Sequence, residues 1–151
     1  MTIRSYRDLK VWERGVELAV ASHLVAKKLP RSEEFALKSQ IRRAAASIPA
    51  NIAEGHGRVH RGDYIRHLSV ARGSLAELET HLLLGQRLSL LSSADVAPAL
   101  KLADEVSRML YALINALRTS KAEGPGDLAA PGTAERAGSR AGHNEAQPPG
   151  P

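Results

Sequence analysis

Residues 37–58 read LKSQIRRAAASIPANIAEGHGR and hold the pattern that decides the fold. Apolar side chains recur there every three or four positions, which is the period of one helix face; they are Leu37, Ile41, Ala44, Ile48 and Ile52. Pro49 removes one backbone amide, but the pattern continues in register past it. We therefore expect a helix that ends near Gly55 and is kinked, not broken, at Pro49.

The same spacing recurs in three further segments on either side of this stretch. Their apolar positions are Leu9, Trp12, Val16, Val20 and Leu24; Tyr64, Leu68, Ala71, Leu75, Leu78 and Leu82; and Val96, Leu100, Ala103, Val106, Leu110, Leu113 and Leu117. Start signals accompany three of the four segments: Ser5 with Asp8, Ser32, and Ser92 with Asp95. Four amphipathic helices with short links predict an all-α, up-down four-helix bundle over residues 1–121.

Composition separates this bundle from the rest of the chain. Residues 122–151 are rich in Gly, Pro and Ala, with Leu128 as the one larger aliphatic residue, so we expect a disordered tail. The whole chain carries a net charge of +5, and the tail contributes four acidic and two basic residues. Residues 1–121 therefore hold 19 basic and 12 acidic groups, a net charge of +7. A bundle this basic attracts polyanions, either nucleic acid or an acidic protein surface.

A polar stripe runs beside the apolar stripe of the second segment. It consists of Gln40, Arg43, Ser47, Asn51 and Glu54. Ser and Asn are poor formers of helix interiors, and a plain solvated face would carry Glu or Lys instead. We interpret the stripe as a set of specific hydrogen bonds within the bundle or between subunits, in preference to a ligand site.

The third segment carries a glycine that suggests a second contact face. Gly73 lies on a face with Arg66 and Glu77, roughly opposite the apolar stripe. A glycine inside a helix costs about 1 kcal/mol relative to alanine, and close approach of another backbone justifies that cost. We therefore predict a partner subunit on this face. We also hypothesise that Arg43 pairs with Glu77, within one subunit or across an interface.

Basic residues concentrate in the middle of the chain, and between residues 42 and 72 the six cationic side chains are all arginine, against two acidic ones. The candidates for binding nucleic-acid backbone are Arg42, Arg58, Arg61, Arg66 and Arg72; Arg43 is assigned to the structural stripe. The guanidinium fork matches phosphate, while few aromatic residues interleave to stack bases. We therefore predict contacts to RNA or DNA backbone without sequence preference. Two alternatives are a scaffold that docks an acidic protein, and arginines that simply pair with Glu on neighbouring helices.

The sequence gives little support for a catalytic site or a metal site. The chain has no cysteine, and Ser47 and Ser74 lie in helical patterns without an elbow motif. His56 and His60 have metal-ligand spacing but lack a clear third ligand, so we expect neither a metal nor another cofactor. No apolar run is long enough to span a membrane, and no secretory segment is visible. We expect a non-enzymatic, cytoplasmic protein.

Three stretches together resemble a known family. They are DLKVWERGVELA (8–19), RRAAASIPANIAEGHGR (42–58) and GSLAELETHL (73–82). They are similar to the four-helix bundle proteins encoded in intervening sequences of bacterial 23S ribosomal RNA genes, over residues 3–119. The family's motif positions correspond here to Gln40, Arg42, Arg43, Ser47, Asn51, Glu54, Gly55, Arg58, Gly73, Ser74 and Glu77.

The resemblance implies assembly as well as fold. It implies a homo-oligomeric ring of five subunits. It also implies kinship with the basic accessory proteins of diversity-generating retroelements, which bind nucleic acid and a reverse transcriptase. It implies no biochemical activity for the motif residues themselves.

Overall fold

The structure, a computed structural model, describes residues 2–122. Over these residues the chain forms four long helices and no strand: α1 (Lys10–Ala26), α2 (Leu37–His56), α3 (Arg61–Arg87) and α4 (Ser93–Ala122). Short 3-10 turns precede α1 and α2, at Tyr6–Asp8 and Arg31–Glu33. The predicted tail lies outside the described residues, apart from its first residue, Ala122, where α4 ends.

The four helices form an antiparallel ring in chain order, because each packs on the next and α4 returns to α1. The closure between α1 and α4 shows the direction. Lys28 Nζ lies 2.7 Å from Asp95 Oδ1, and Arg14 Nε lies 3.6 Å from Glu105 Oε2. Residue numbers fall along one helix as they rise along the other, so the two run in opposite directions. The predicted up-down bundle is confirmed.

The core follows the predicted periodicity in α2, α3 and α4 but differs in α1. Leu18 and Val25 of α1 are buried, whereas Val20 is 56% and Leu24 is 55% exposed. The expectation that Val20 and Leu24 face the core is therefore wrong. Helix α1 carries two apolar stripes that are at least a quarter of a turn apart. The stripe that contains Leu18 packs inward, and the stripe that contains Val20 faces outward.

One of the three predicted helix starts is confirmed, at α4, and the Ser5 signal is displaced from α1 to the turn before it. Ser5 and Asp8 form a reciprocal capping box, although it closes the 3-10 turn ahead of α1. Ser92 and Asp95 form the equivalent pair at α4, where each side chain accepts the other's backbone amide. Ser32 caps nothing, because it lies in the 3-10 turn before α2 and the helix begins several residues later.

Pro49 lies inside α2 without ending it, as the sequence predicted. The proline also meets α1 closely. A Cβ built on the buried Gly15 would lie 3.6 Å from the Pro49 Cβ, an ordinary van der Waals distance, so α1 and α2 are in contact at this point. The two helices are therefore packed tightly where α2 lacks a backbone hydrogen-bond donor.

Candidate functional site

A chain of hydrogen bonds joins the polar stripe of α2 to α3. The Ser47 and Ser74 hydroxyls lie 2.7 Å apart. The Asn51 side-chain amide donates to the Ser47 carbonyl at 2.8 Å and to its hydroxyl at 3.0 Å. His67 Nδ1 donates to Asn51 Oδ1 across 3.3 Å. The prediction that Ser47 and Asn51 make specific hydrogen bonds within the bundle is confirmed.

His67 is the member of this polar chain that sequence reasoning missed. Its Nδ1 also lies 3.9 Å from Glu54 Oε2, and Glu54 in turn accepts from Arg58 at 2.7 Å. The Nε2 atom of the same ring is buried and has no hydrogen-bond partner among the described residues. A signal did exist: His67 stands seven residues before Ser74, which places both on one helix face.

Gly55 sets the separation of α2 and α3 at the end of this polar chain. A Cβ at Gly55 would lie 2.8 Å from the His67 Cβ and 3.0 Å from Tyr64 Cδ2. Burial in this contact raises the pKa of the Tyr64 hydroxyl. The glycine therefore permits the approach that brings His67 and Glu54 together beside the α2–α3 loop.

Three of the five predicted phosphate-binding arginines lie at one end of the bundle. Arg58 lies in the loop between α2 and α3, while Arg61 and Arg66 lie in the first two turns of α3. All three are exposed. Arg58 pairs with Glu54, Arg66 lies 3.8 Å from Asp63, and Arg61 forms no ion pair within the described residues. The helix reversal at residues 57–60 brings these side chains to a common surface.

Arg42 and Arg72 lie elsewhere. Arg42 is 14 residues before the end of α2 at His56, about 21 Å along the helix axis from the loop that holds Arg58. It shares the Glu34 carboxylate with Lys38, and these two cations lower the pKa of Glu34, Lys38 more strongly. Arg72 Cζ lies 5.9 Å from the Tyr111 ring centroid, halfway along α3 and α4. The five arginines therefore do not form one contiguous patch.

The N-terminus supplies cations that sequence reasoning did not place at the site. Because α1 begins where α2 ends, Arg4 and Arg7 lie at the same end as Arg58. Arg118, near the end of α4, reaches this end as well. We call the set Arg4, Arg7, Arg58, Arg61, Arg66 and Arg118 the basic end. None of these six lies within an ion-pair distance of another helix's carboxylate over residues 2–122.

An apolar groove opens between α1 and α2 and reaches the basic end. Its volume is about 730 Å³. Helix α1 and the turn before it contribute Tyr6, Trp12, Val16, Ala19, Val20, His23, Leu24 and Lys27, and α2 contributes Ala46, Pro49, Ala50 and Ala53. The Tyr6 and Trp12 ring centroids are 5.1 Å apart in an edge-to-face arrangement. The second apolar stripe of α1 thus forms one wall of a surface feature.

The residues assigned to an interface are exposed in this single chain. Gln40, Arg43, Gly73 and Glu77 all face solvent, and nothing lies within 4 Å of a Cβ built on Gly73. The hypothesised Arg43–Glu77 pair does not form within the chain, because Glu77 instead lies 3.4 Å from His81 Nε2, one turn along its own helix. A pair across subunits stays a prediction.

The described residues hold neither a cluster of metal ligands nor a membrane-spanning helix. No group of three or more His, Asp or Glu side chains is arranged to hold a metal ion in the part of the chain from 2 to 122. Within the same residues, no helix combines the length and apolar character that a membrane crossing requires.

Comparison with known proteins gives one family. A crystal structure of a protein of unknown function from the S23 ribosomal protein family of Bacteroides thetaiotaomicron is similar, with 28% identity and a TM-score of 0.65. The match covers 69% of this chain and 97% of that one. No curated protein matches this chain. The sequence pattern of the 23S rRNA-intervening sequence protein family matches residues 7–112. The chain therefore belongs to the 23S rRNA-intervening sequence protein family.

Proposed function

We propose that this chain is a non-enzymatic, cytoplasmic, homo-oligomeric bundle that binds the phosphate backbone of RNA or DNA. The observation that carries the proposal is the basic end, where arginines from α3, α4, the α2–α3 loop and the N-terminal segment lie at one end of the bundle. Arg58, Arg61 and Arg66 are the central contacts, and Arg4 and Arg7 extend them. Exposed guanidinium groups exchange surface carboxylates for phosphate readily, because an exposed ion pair contributes only about 0–1 kcal/mol.

Assembly multiplies this positive field, and the outward face of α3 supports assembly. Gly73 leaves open space there; Val70 lies one turn before it and Leu84 three turns after it, and these two side chains are 48% and 44% exposed. A helix that presents a small residue between apolar side chains lets another backbone approach closely. A ring of subunits would place several basic ends on one rim, and that rim would meet a polyanion at many points.

The experiment is a salt titration of nucleic-acid binding by the purified full chain. Affinity should fall steeply as salt rises, with a log–log slope of about 0.9 per phosphate contact on duplex DNA. Replacing Arg58 and Arg61 together by Gln should make that slope shallower and leave helicity and oligomer size unchanged. Replacing Arg42 and Arg72 by Gln is the matched control, because these two lie away from the basic end. Equal effects of both pairs would reject the basic end as the contact surface.

A protein-interaction scaffold is the second candidate, and the apolar groove favours it. Val20 and Leu24 expose apolar surface that an isolated bundle does not need. A partner of this kind would carry acidic residues around an apolar centre, and one candidate is a nucleic-acid enzyme such as a reverse transcriptase. A complex that survives nuclease treatment would favour the scaffold; loss of the complex with the nucleic acid would favour the first proposal.

A further inference from the structure

The basic end and the apolar groove are adjacent parts of one surface. Arg7 Cζ lies 5.4 Å from the Tyr6 ring centroid, and Tyr6 in turn packs edge-on against Trp12 in the groove. Ala53, which lines the groove on α2, is five residues before Arg58. Cationic side chains and aromatic rings therefore meet where the groove opens, although they are far apart in the sequence.

We infer that the basic end and the groove together bind single-stranded nucleic acid in preference to duplex. Phosphates lie at Arg7, Arg58 and Arg61, and unpaired bases enter the groove beside Tyr6 and Trp12. This inference rests on the proposed function, and it adds which form of nucleic acid the site selects. An aromatic platform beside an electrostatic track is the arrangement that binds single strands without sequence preference.

The groove's lining explains why a duplex should bind less well. The α2 wall consists of Ala46, Pro49, Ala50 and Ala53, which carry no side-chain donor or acceptor to read base edges. Contact between this wall and the apolar face of a base is favourable. In a duplex, however, those faces are stacked inside the double helix. Single-stranded bases expose their faces, so only they can use the groove.

Charge and size also fit this occupant. The only fully charged side chain that lines the groove is Lys27, at the end away from Tyr6, and no carboxylate lines it. From Trp12 to Lys27 the groove follows α1 for about 22 Å, at ~1.5 Å per residue. A volume of about 730 Å³ is in the range of pockets that hold small organic groups. The surface therefore offers apolar contacts within and positive charge at both ends, as a short single strand requires.

The single tryptophan gives a direct test. Trp12 is the only Trp in the chain, and it lies in the groove. Full-length protein at low salt is titrated with single-stranded oligodeoxythymidylate of about 12 nucleotides, within the ~4–16 nucleotides typical of such sites. The same titration uses a duplex of equal phosphate content. We expect the single strand to quench Trp12 emission. We expect the affinity for the duplex to be lower by about fivefold or more.

A matched pair of tyrosine variants isolates the groove from the charge. Tyr6→Leu removes the ring beside Arg7 and should weaken single-strand binding about fivefold or more, since stacking on an aromatic ring is worth ~1–3 kcal/mol per base. Tyr111→Leu removes the equivalent exposed ring beside Arg72 and should change nothing. Tyr6→Phe should retain binding. Circular dichroism melts of all three variants check that the bundle is intact.

The outcomes separate this inference from the proposed function. Equal binding of duplex and single strand, with Tyr6→Leu unaffected, would overturn single-strand selection and leave backbone binding in place. Failure of both nucleic acids to bind at low salt would reject both. Trp12 emission that changes on dilution of the protein, but not with oligonucleotide, would show that a second copy covers the groove and would also overturn the inference.

Discussion

Replacing Gly55 by Ala should destabilise the bundle at the joint between α2 and α3. The new Cβ would lie 2.8 Å from the His67 Cβ and 3.2 Å from the Tyr64 carbonyl oxygen. Neither atom is the free end of a flexible side chain, so α3 itself must shift. Overpacking of this kind costs about 1–3 kcal/mol, whereas alanine gains ~0.8–1.0 kcal/mol over glycine in helix propensity. The net loss in free energy of unfolding is about 0–2 kcal/mol.

Gly62→Ala is the matched control, because it makes the same change in a terminal turn of a helix, away from the assembly face and with nothing within 4 Å of the new Cβ. Its helix propensity gain is unopposed, so it should stabilise the folded chain by ~0.8–1.0 kcal/mol. The propensity terms cancel between the two variants, and their difference of about 1–3 kcal/mol measures the steric cost at Gly55 alone. Urea denaturation followed by circular dichroism gives both values. Equal stability of the two variants would refute the close approach of α2 and α3.

Three further predictions concern the polar chain, the assembly face and acid stability. Ser74→Ala should lower the free energy of unfolding by about 1 kcal/mol, because it removes the hydrogen bond between the Ser47 and Ser74 hydroxyls; Ser47→Ala should then cost less in this background than it does alone. Gly73→Leu should reduce oligomer size in light scattering while the thermal melt of the chain is retained, and unchanged size would argue against this face as the interface. Asp95 has its pKa lowered from 3.8 to about 2, chiefly by the hydrogen bond from Lys28, so its contribution to stability is complete above pH 3.8 and is lost as pH falls toward 2. Asp95→Asn should therefore flatten the stability profile in that window, and an unaltered profile would contradict the assignment.

The positions of the helices could be predicted because each has an apolar stripe of helical period. The choice of stripe in α1 could not, because Leu18 and Val25 on one face are no more apolar than Val20 and Leu24 on the other. The spacing of apolar residues shows that a segment is helical. It shows which face is buried only when the other face is polar. The side of α1 that is buried depends on which helices pack against it, and those contacts exist only in the assembled bundle.

Only the α2 residues of the polar chain could be predicted from the sequence. Ser47 and Asn51 stand out because helix interiors disfavour them, so a hydrogen-bonding role could be predicted from α2 alone. Their partners Ser74 and His67 depend on the register of α3 against α2. Gly55 sets that register through a contact between residues that are distant in the sequence, and no local pattern reports it.

The grouping of arginines at the candidate site could not be predicted from the sequence either. Counting charge along residues 42–72 groups Arg42 with Arg58, yet Arg42 lies about 21 Å along α2 from the end of the helix that precedes Arg58. Folding instead places Arg4 and Arg7 at the same end of the bundle as Arg58, because α1 and α2 are antiparallel and the N-terminal segment lies where α2 stops. The attraction of a surface for a polyanion depends on charges within about one Debye length, ~10 Å at 0.1 M salt, and so follows this spatial grouping. Removing Arg4 and Arg7 should therefore weaken nucleic-acid binding more than removing Arg42 and Arg72, although the latter pair lies within the basic stretch of the sequence.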